Sequence, residues 1–215
     1  VFIKKINKTN ADMVVFGGDL VDEGVPNSFE VLDMFLQNCD LPNEKYAVSG
    51  NHDLWTGKFD YLKNHLESKF NITFLENKSK IVTKDGNSIK LYGISDPEIW
   101  DFEKASNRVE EAINQFTVDD SKFNVLIFHR ANMLDMFNDK KFDLILSGHM
   151  HGGQIRIPFV GGLKSPHGDW FPKYSGGRYD VNNNTYIVSR GIGNAVSVPR
   201  IFNRPEIVVI TLKKG

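Results

Sequence analysis

Four apolar runs of strand length in this sequence each lead directly into glycine or into side chains that can bind a metal ion. These junctions are Met13–Phe16 before Gly17-Gly18-Asp19, Lys45–Val48 before Gly50-Asn51-His52-Asp53, Asn124–Phe128 before His129, and Leu144–Leu146 before Gly148-His149-Met150-His151. Open α/β sheets bind their ligands outside the carboxyl ends of the strands. The pattern therefore predicts that the four junctions meet at one edge of a sheet.

Segments with helical periodicity separate the strand-like runs. Apolar residues recur at three- and four-residue spacing in Ser28–Asn38, Phe59–Phe70 and Glu103–Phe116. Further strands are predicted at Ile81–Thr83, Ile89–Ile94, Tyr186–Val188 and Ile207–Leu212. Asp85-Gly86 is typical of a tight hairpin turn. Strands that alternate with helices and include a hairpin indicate an α/β fold with mixed sheets.

Length and composition favour one soluble, globular domain over residues 1–215, because no repeat or linker divides the chain. Lys and Arg number 26 against 27 Asp and Glu, a balance that gives no electrostatic case for nucleic-acid binding. Cys39 is the only cysteine, which excludes a disulfide framework or a thiolate zinc cluster within one chain.

The side chains at the junctions form a ligand set of oxygen and nitrogen atoms, without thiolate. Such a set suits Mn, Fe or Zn in a catalytic site better than a closed structural site. Taken singly, Asp19 is typical of a turn, Asn51 of an Asx turn and His129 of a buried core histidine. Because all of these would have to coincide after strands, the joint pattern favours a metal site.

The motifs resemble those of the calcineurin-like metallophosphoesterases, in family order and at plausible spacing. They are Gly18-Asp19-x-Val21-Asp22, Gly50-Asn51-His52-Asp53, His129 and Gly148-His149-x-His151. Trp170-Phe171-Pro172, Ser189-Arg190-Gly191 and Arg204-Pro205-Glu206-Ile207 are similar to the bacterial YkuE/YaeI-like branch. The resemblance covers nearly the whole chain. It implies a four-layer α/β/β/α sandwich of two mixed sheets, with two divalent metal ions (Mn, Fe or Zn) at one end.

The resemblance also implies a role for each motif residue. Asp19 would bridge both metals, His151 would bind one of them, and the other would be completed by Asn51, His129 and His149. His52 would bind phosphate and act as general acid for the leaving group, and Asp53 would orient its imidazole.

One motif of the family has no counterpart here. The family begins with Asp-x-His on its first strand, no such motif precedes Asp19, and Val1–Asn10 is predicted as the helix after that strand. We therefore expect an N-terminally incomplete metallophosphoesterase domain whose first strand is absent. If an anchor precedes it, the protein is membrane-associated; otherwise we expect it in the cytoplasm.

The predicted activity is phosphoester hydrolysis, as a phosphodiesterase or phosphatase, by a two-metal-activated hydroxide with His52 as acid. We expect a monomer that acts on a small-molecule or lipid-linked phosphoester, or a nucleotide-sugar phosphate, with no nucleic-acid partner. The alternative is a weakened or inactive scaffold of the same fold, which the absent first motif favours and His52 opposes.

Residues 152–184 are rich in glycine, proline and aromatic residues and predict a long ordered loop or a set of short turns, the kind of segment that often forms the wall of a site. Its aromatic residues Phe159, Trp170, Phe171 and Tyr174 either pack in the core or form an apolar lip that contacts a membrane surface. Arg130 follows His129 and could contact phosphate, but we expect it to be solvated or salt-bridged, and the pattern gives His167 no place.

Overall fold

The computed structural model describes residues 1–98, 101–193 and 199–213. Its helices are α1 (Phe2–Ile6), α2 (Ser28–Gln37), α3 (Asn51–Trp55), α4 (Phe59–Phe70) and α5 (Phe102–Asn114), with 3-10 helices at Ala131–Phe137 and His151–Gly153. Its strands are β1 (Met13–Phe16), β2 (Glu44–Ala47), β3 (Thr73–Phe74), β4 (Lys78–Lys84), β5 (Asn87–Ile94), β6 (Phe123–Arg130), β7 (Leu144–Gly148), β8 (Arg156–Ile157), β9 (Gly161–Gly162), β10 (Gly177–Val181) and β11 (Asn184–Val188). None of the described helices is long and apolar enough to cross a lipid bilayer.

The strands form two main sheets and one small ribbon. Strands β1, β2 and β3 make a three-stranded sheet that contains only parallel pairs. The six-stranded sheet has the order β10-β11-β7-β6-β5-β4, with parallel pairs in the centre and an antiparallel pair at each edge. Strands β8 and β9 pair as a separate ribbon. The predicted α/β class is confirmed, and the larger sheet is mixed.

Strand β6 shows how its sequence fits a central position. Val125 and Ile127 belong to an apolar cluster that contains side chains of both main sheets, including Tyr46. Leu126 and Phe128 point the other way, into a cluster with α5 and the 3-10 helix Ala131–Phe137. A strand that is covered on both faces needs a continuous apolar run, which is what this sequence supplies.

The predicted elements agree with the observed ones most closely where local signals are strong. Strand β1 and helix α4 begin and end at the predicted residues. The predicted turn joins β4 and β5 through Asp85 (φ 49°) and Gly86 (φ 76°), the left-handed pair that a two-residue hairpin requires.

Two predictions are wrong. Residues 152–184 contain β8, β9 and β10, because turns such as the one at Asn182 (φ 52°) let short strands pair within the segment. The predicted strand Ile207–Leu212 forms no ladder with any described strand, and its Val209 is 65% exposed. An apolar run becomes a strand only where another backbone offers its hydrogen-bonding groups.

Candidate metal centre

The ends of β1, β2, β6 and β7 meet in the structure. Gly17, after β1, accepts a hydrogen bond from Nδ1 of His129 at 2.6 Å. The backbone N–H of His52, after β2, donates to Oδ1 of Asp19 at 2.9 Å. Nδ1 of His149, after β7, lies 3.2 Å from Nε2 of His129. Each junction is thus in direct contact with another, which is the convergence that the sequence predicts.

Asp19, His129 and His149 form the centre of this region. Oδ2 of Asp19 lies 3.0 Å from Nε2 of His129, and the three residues offer ligand atoms that all lie within 4.8 Å of one another. Both imidazoles are buried. One carboxylate oxygen and two ring nitrogens that face a common point are a donor set for a divalent cation.

Each of the two imidazoles is held through the nitrogen that points away from the cluster. The Nδ1–H of His129 donates to the Gly17 carbonyl, which directs Nε2 toward Asp19. Nε2 of His149 lies 2.9 Å from Nε2 of His167, which directs Nδ1 toward His129. Metal-binding histidines are usually oriented in this way by a partner on the other ring nitrogen.

The contact with His167 leads to a first prediction. His167→Ala is expected to weaken metal binding about 10–100-fold, because His149 loses the partner that fixes its ring. His167→Gln, whose amide oxygen can accept the same hydrogen bond, should recover most of the affinity. Calorimetric titration with Mn²⁺ or Zn²⁺ measures this effect, and unchanged affinity in His167→Ala would contradict it.

Two glycines allow the loops to approach one another this closely. A Cβ on Gly18, whose φ is 92°, would lie 2.6 Å from Nδ1 of His129 and 2.7 Å from the backbone nitrogen of Gly50. A Cβ on Gly50 would overlap the carboxylate and backbone nitrogen of Asp19. The side-chain-free backbone at both positions is therefore what places Asp19 against His129.

Three of the predicted ligands have left-handed backbone conformations, which residues other than glycine rarely adopt. The φ angles are 54° for Asp19, 68° for His149 and 48° for His151. Such conformations cost on the order of 1 kcal/mol each and concentrate at functional sites. The surrounding fold holds these residues in place despite that cost.

Several buried polar atoms have no hydrogen-bond partner among the described residues. They include Oδ1 of Asn51 and Nδ1 of His151. An unpaired buried polar atom costs about 1–3 kcal/mol, and a coordinated cation would remove that penalty. The residues present therefore fit a divalent metal ion. His151 is not part of the closest group of ligand atoms.

The protonation states favoured here are largely those of metal ligands. Burial acts to raise the pKa of Asp19, but His129 and His52 hold it well below its usual range. Burial keeps the pKa of His149 well below its ordinary value and lowers that of His151 to about 4. Burial also disfavours the charged form of His129, yet the Asp19 carboxylate raises its pKa to about 9. A cation bound to the carboxylate would take the place of that proton.

The side chain of His52 lies beside the centre and is held by an acidic residue that sequence reasoning missed. Its Nδ1 lies 2.8 Å from Oε2 of Glu23 and 3.9 Å from Oδ1 of Asp22. Its ring contacts Trp55 edge-on, with 5.1 Å between centroids. A neighbouring carboxylate fixes which ring nitrogen carries hydrogen, so Nε2 is left as the nitrogen for chemistry.

The expected role of Asp53 is corrected by these contacts. Its carboxylate accepts backbone hydrogen bonds from Leu20 at 2.7 Å, Val21 at 3.0 Å and Gly50 at 2.9 Å. It therefore ties the loop after β1 to the start of α3 and does not orient the imidazole of His52. Complete burial, together with the nearby charge of Asp19, raises the pKa of Asp53 to about 7.

Behind the centre, Arg130 forms a buried ion pair with Asp96. From the sequence we expect it to be either solvated or salt-bridged, and the second of these is observed. Its Nε and Nη2 donate to the Asp96 carboxylate at 2.8 and 2.7 Å. The backbone N–H of Asp96 donates to Oγ of Ser49, whose hydroxyl donates to Glu76. This network joins the residue after His129 to the residue before Gly50, and so stabilises the two loops relative to each other.

The chain matches the model of the calcineurin-like phosphoesterase family over residues 1–153. It is 27% identical to metallophosphoesterase YkuE of Bacillus subtilis over 98% of this chain and 71% of that protein. It is 26% identical to phosphodiesterase YaeI of Escherichia coli over 94% of this chain and 70% of that protein. The structure also resembles phosphopantetheinyl hydrolase of Mycobacterium tuberculosis, with TM-score 0.51 and 11% identity over 82% of this chain and 77% of that one, a likeness of fold alone.

Fold and site thus define an α/β protein with a candidate metal centre at the ends of its strands. The chain belongs to the calcineurin-like phosphoesterase family, which confirms the resemblance inferred from the motifs. Members are typically metal-dependent, and the described residues offer two candidate metal-binding groups, Asp19 with His129 and His149, and Asp22 with Glu23 and His52.

Proposed function

We propose that this chain is a binuclear, metal-dependent phosphoester hydrolase. The observation that carries the proposal is the cluster of Asp19, His129 and His149, to which the backbone N–H of His52 donates a hydrogen bond at Asp19. Asp19, Asn51, His129 and His149 would hold one divalent ion, and His151 with Asp19 would contribute to the second. We also propose the four-layer sandwich of the family, in which helices cover the outer faces of two facing sheets.

In this proposal, His52, Asp53 and the two glycines have separate roles in catalysis. A divalent ion at such a site supplies Lewis acidity, which lowers the pKa of water and stabilises charge on phosphoryl oxygens. His52, held at Nδ1 by Glu23, would donate a proton from Nε2 to the departing oxygen. Gly18 and Gly50 allow the two loops to approach each other closely. Asp53 fixes the backbone from which His52 projects.

The substrate that we propose is a phosphodiester or phosphomonoester carried by a small molecule or a lipid, or a nucleotide-sugar phosphate. One relative carries the name phosphodiesterase, which supports a diester. The balance of 26 basic and 27 acidic residues gives no support to a nucleic-acid substrate. We propose that the protein acts as a monomer.

Metal-dependent turnover tests the proposal. Metal-stripped protein supplied with Mn²⁺, Fe²⁺ or Zn²⁺ is expected to hydrolyse bis-p-nitrophenyl phosphate, and excess chelator should abolish the activity. Elemental mass spectrometry of the same samples should give two ions per chain. Metal binding without hydrolysis of diester or monoester would favour the scaffold instead, and one ion per chain with full activity would contradict the binuclear centre.

A further inference from the structure

Two segments next to the candidate centre expose an unusual amount of apolar surface. In the turn between β8 and β9, Phe159 is fully exposed and Val160 is 63% exposed. Phe202, from a separate part of the chain, is 78% exposed and borders the same groove as Phe159, a space of about 560 Å³. Ile157 and Pro158 line the rest of that groove together with Arg156. A contiguous exposed apolar patch of this kind usually marks an interaction surface.

Two further exposed aromatic residues lie on the chain that follows the ribbon. Trp170 and Phe171 are 64% and 55% exposed, and Phe171 N–H donates to the carbonyl of Leu163, just after β9. Of the four aromatic residues that were expected either in the core or at an apolar lip, only Tyr174 is buried. Phe159, Phe171 and Phe202 all have left-handed backbone conformations, which bulky residues rarely adopt, and all three side chains are exposed.

Positive charge accompanies the apolar residues. Residues 155–173 and 199–204 contain Arg156, Lys164, Lys173, Arg200 and Arg204, against Asp169 as their one acidic residue, although the whole chain has a net charge of -1. Lys173 is paired with Asp135, whereas Lys164 is exposed and its Nζ lies 5.5 Å from the centroid of the Trp170 ring. Aromatic side chains beside Lys and Arg suit the boundary between acyl chains and anionic headgroups.

The patch is built directly on the loop that carries His151. Lys164 N–H donates to the Gly153 carbonyl at 3.2 Å, and Arg156 Nη1 donates to the Gly152 carbonyl at 3.1 Å. Asn203, next to Phe202, donates from Nδ2 to the His151 carbonyl. A surface on which Phe159 and Phe202 rest would therefore lie next to the candidate centre.

From this arrangement we propose that the patch formed by Ile157–Val160, Trp170, Phe171 and Phe202 docks the protein on the surface of an anionic lipid bilayer. Phe159 and Phe202 enter the boundary between headgroups and acyl chains, while Lys164 and Arg204 remain at the level of the lipid phosphates. Docking is a binding property of this surface and does not require hydrolysis.

Vesicle flotation tests the proposal with the full chain in the presence of chelator, so that the outcome is independent of catalysis. The protein is expected to float with vesicles of phosphatidylglycerol and phosphatidylcholine, and less with phosphatidylcholine alone. A Phe159→Ser, Phe202→Ser double variant should lose roughly tenfold or more of that binding. The matched control, Val31→Ser with Met34→Ser, removes two exposed apolar residues of α2 and should bind as the unchanged protein does.

Equal thermal unfolding of the two double variants and the unchanged protein will show that folding is intact. Equal flotation of the Phe159, Phe202 variant would overturn the proposal, as would failure of the unchanged protein to float. A dimer in light scattering that dissociates in the Phe159, Phe202 variant would also overturn it, because the patch would then bind a second copy of this chain.

Discussion

Replacement of Asp19 by alanine is expected to remove bound metal altogether. Asp19 supplies the one carboxylate of the cluster, and its Oδ2 lies 3.0 Å from Nε2 of His129. Without it, two neutral imidazoles and an amide would have to hold a divalent cation with no compensating charge. Elemental mass spectrometry after gel filtration should find no stoichiometric metal in the variant.

The appropriate control is an acidic residue that is paired outside the centre. Asp33 on α2 contacts His65 and Lys69, so Asp33→Asn should keep its full metal content. Asp19→Asn separates charge from geometry, because asparagine tolerates the left-handed backbone at this position better than alanine does. Full metal content in Asp19→Ala would refute the bridging role and with it the proposed centre.

The sequence predicts the main features of this centre because its ligands follow strands that are easily recognised. The runs that end before Asp19, His129 and His149 are apolar and short. Parallel pairing of β6 with β7 brings the carboxyl ends before His129 and His149 together, whereas Asp19 follows β1 of the other sheet. The glycines beside these ligands also indicate a site of close contact, because the contact between Gly50 and Asp19 leaves no room for a side chain. Local pattern and sheet topology predict where each ligand lies in its own sheet, and the packing of the two sheets brings Asp19 to His129.

The partners of these residues could not be predicted, because they come from segments without periodicity. His167 lies in a loop whose path depends on how β8 and β9 pair, and only the folded chain brings it within 2.9 Å of His149. Glu23 follows the recognised motif by one position, and its neighbour Asp22 is equally acidic. Which of the two contacts His52 depends on backbone geometry that no sequence spacing encodes.

The error over Asp53 has a similar physical origin. Adjacency in sequence suggested that it serves the neighbouring imidazole, yet consecutive residues of a helix point in different directions. At the start of α3, the carboxylate turns back to the N–H groups of Gly50, Leu20 and Val21 instead. One of these donors is at the N-cap of α3 and two are in the loop after β1, so the carboxylate is fully engaged by backbone N–H groups.

Replacement of His52 by asparagine is expected to lower turnover about 10²–10⁴-fold while metal content stays near that of the unchanged protein. His52 lies outside the group of Asp19, His129 and His149, and its imidazole is oriented by Glu23. Its loss therefore removes a proton donor and leaves the ligands in place. Steady-state kinetics and metal analysis of the same preparation measure both quantities.

The nature of the leaving group distinguishes a proton donor from a residue that only binds phosphate. Phenolate is more basic than p-nitrophenolate and depends more on protonation as it departs. His52→Asn should therefore lose more activity toward a phenyl phosphoester than toward the p-nitrophenyl ester. Glu23→Gln, which keeps His52 but removes the charge 2.8 Å from its Nδ1, should show the same trend more weakly. An equal loss toward both esters would leave His52 a phosphate-binding residue, and a parallel loss of metal would make it part of the metal centre.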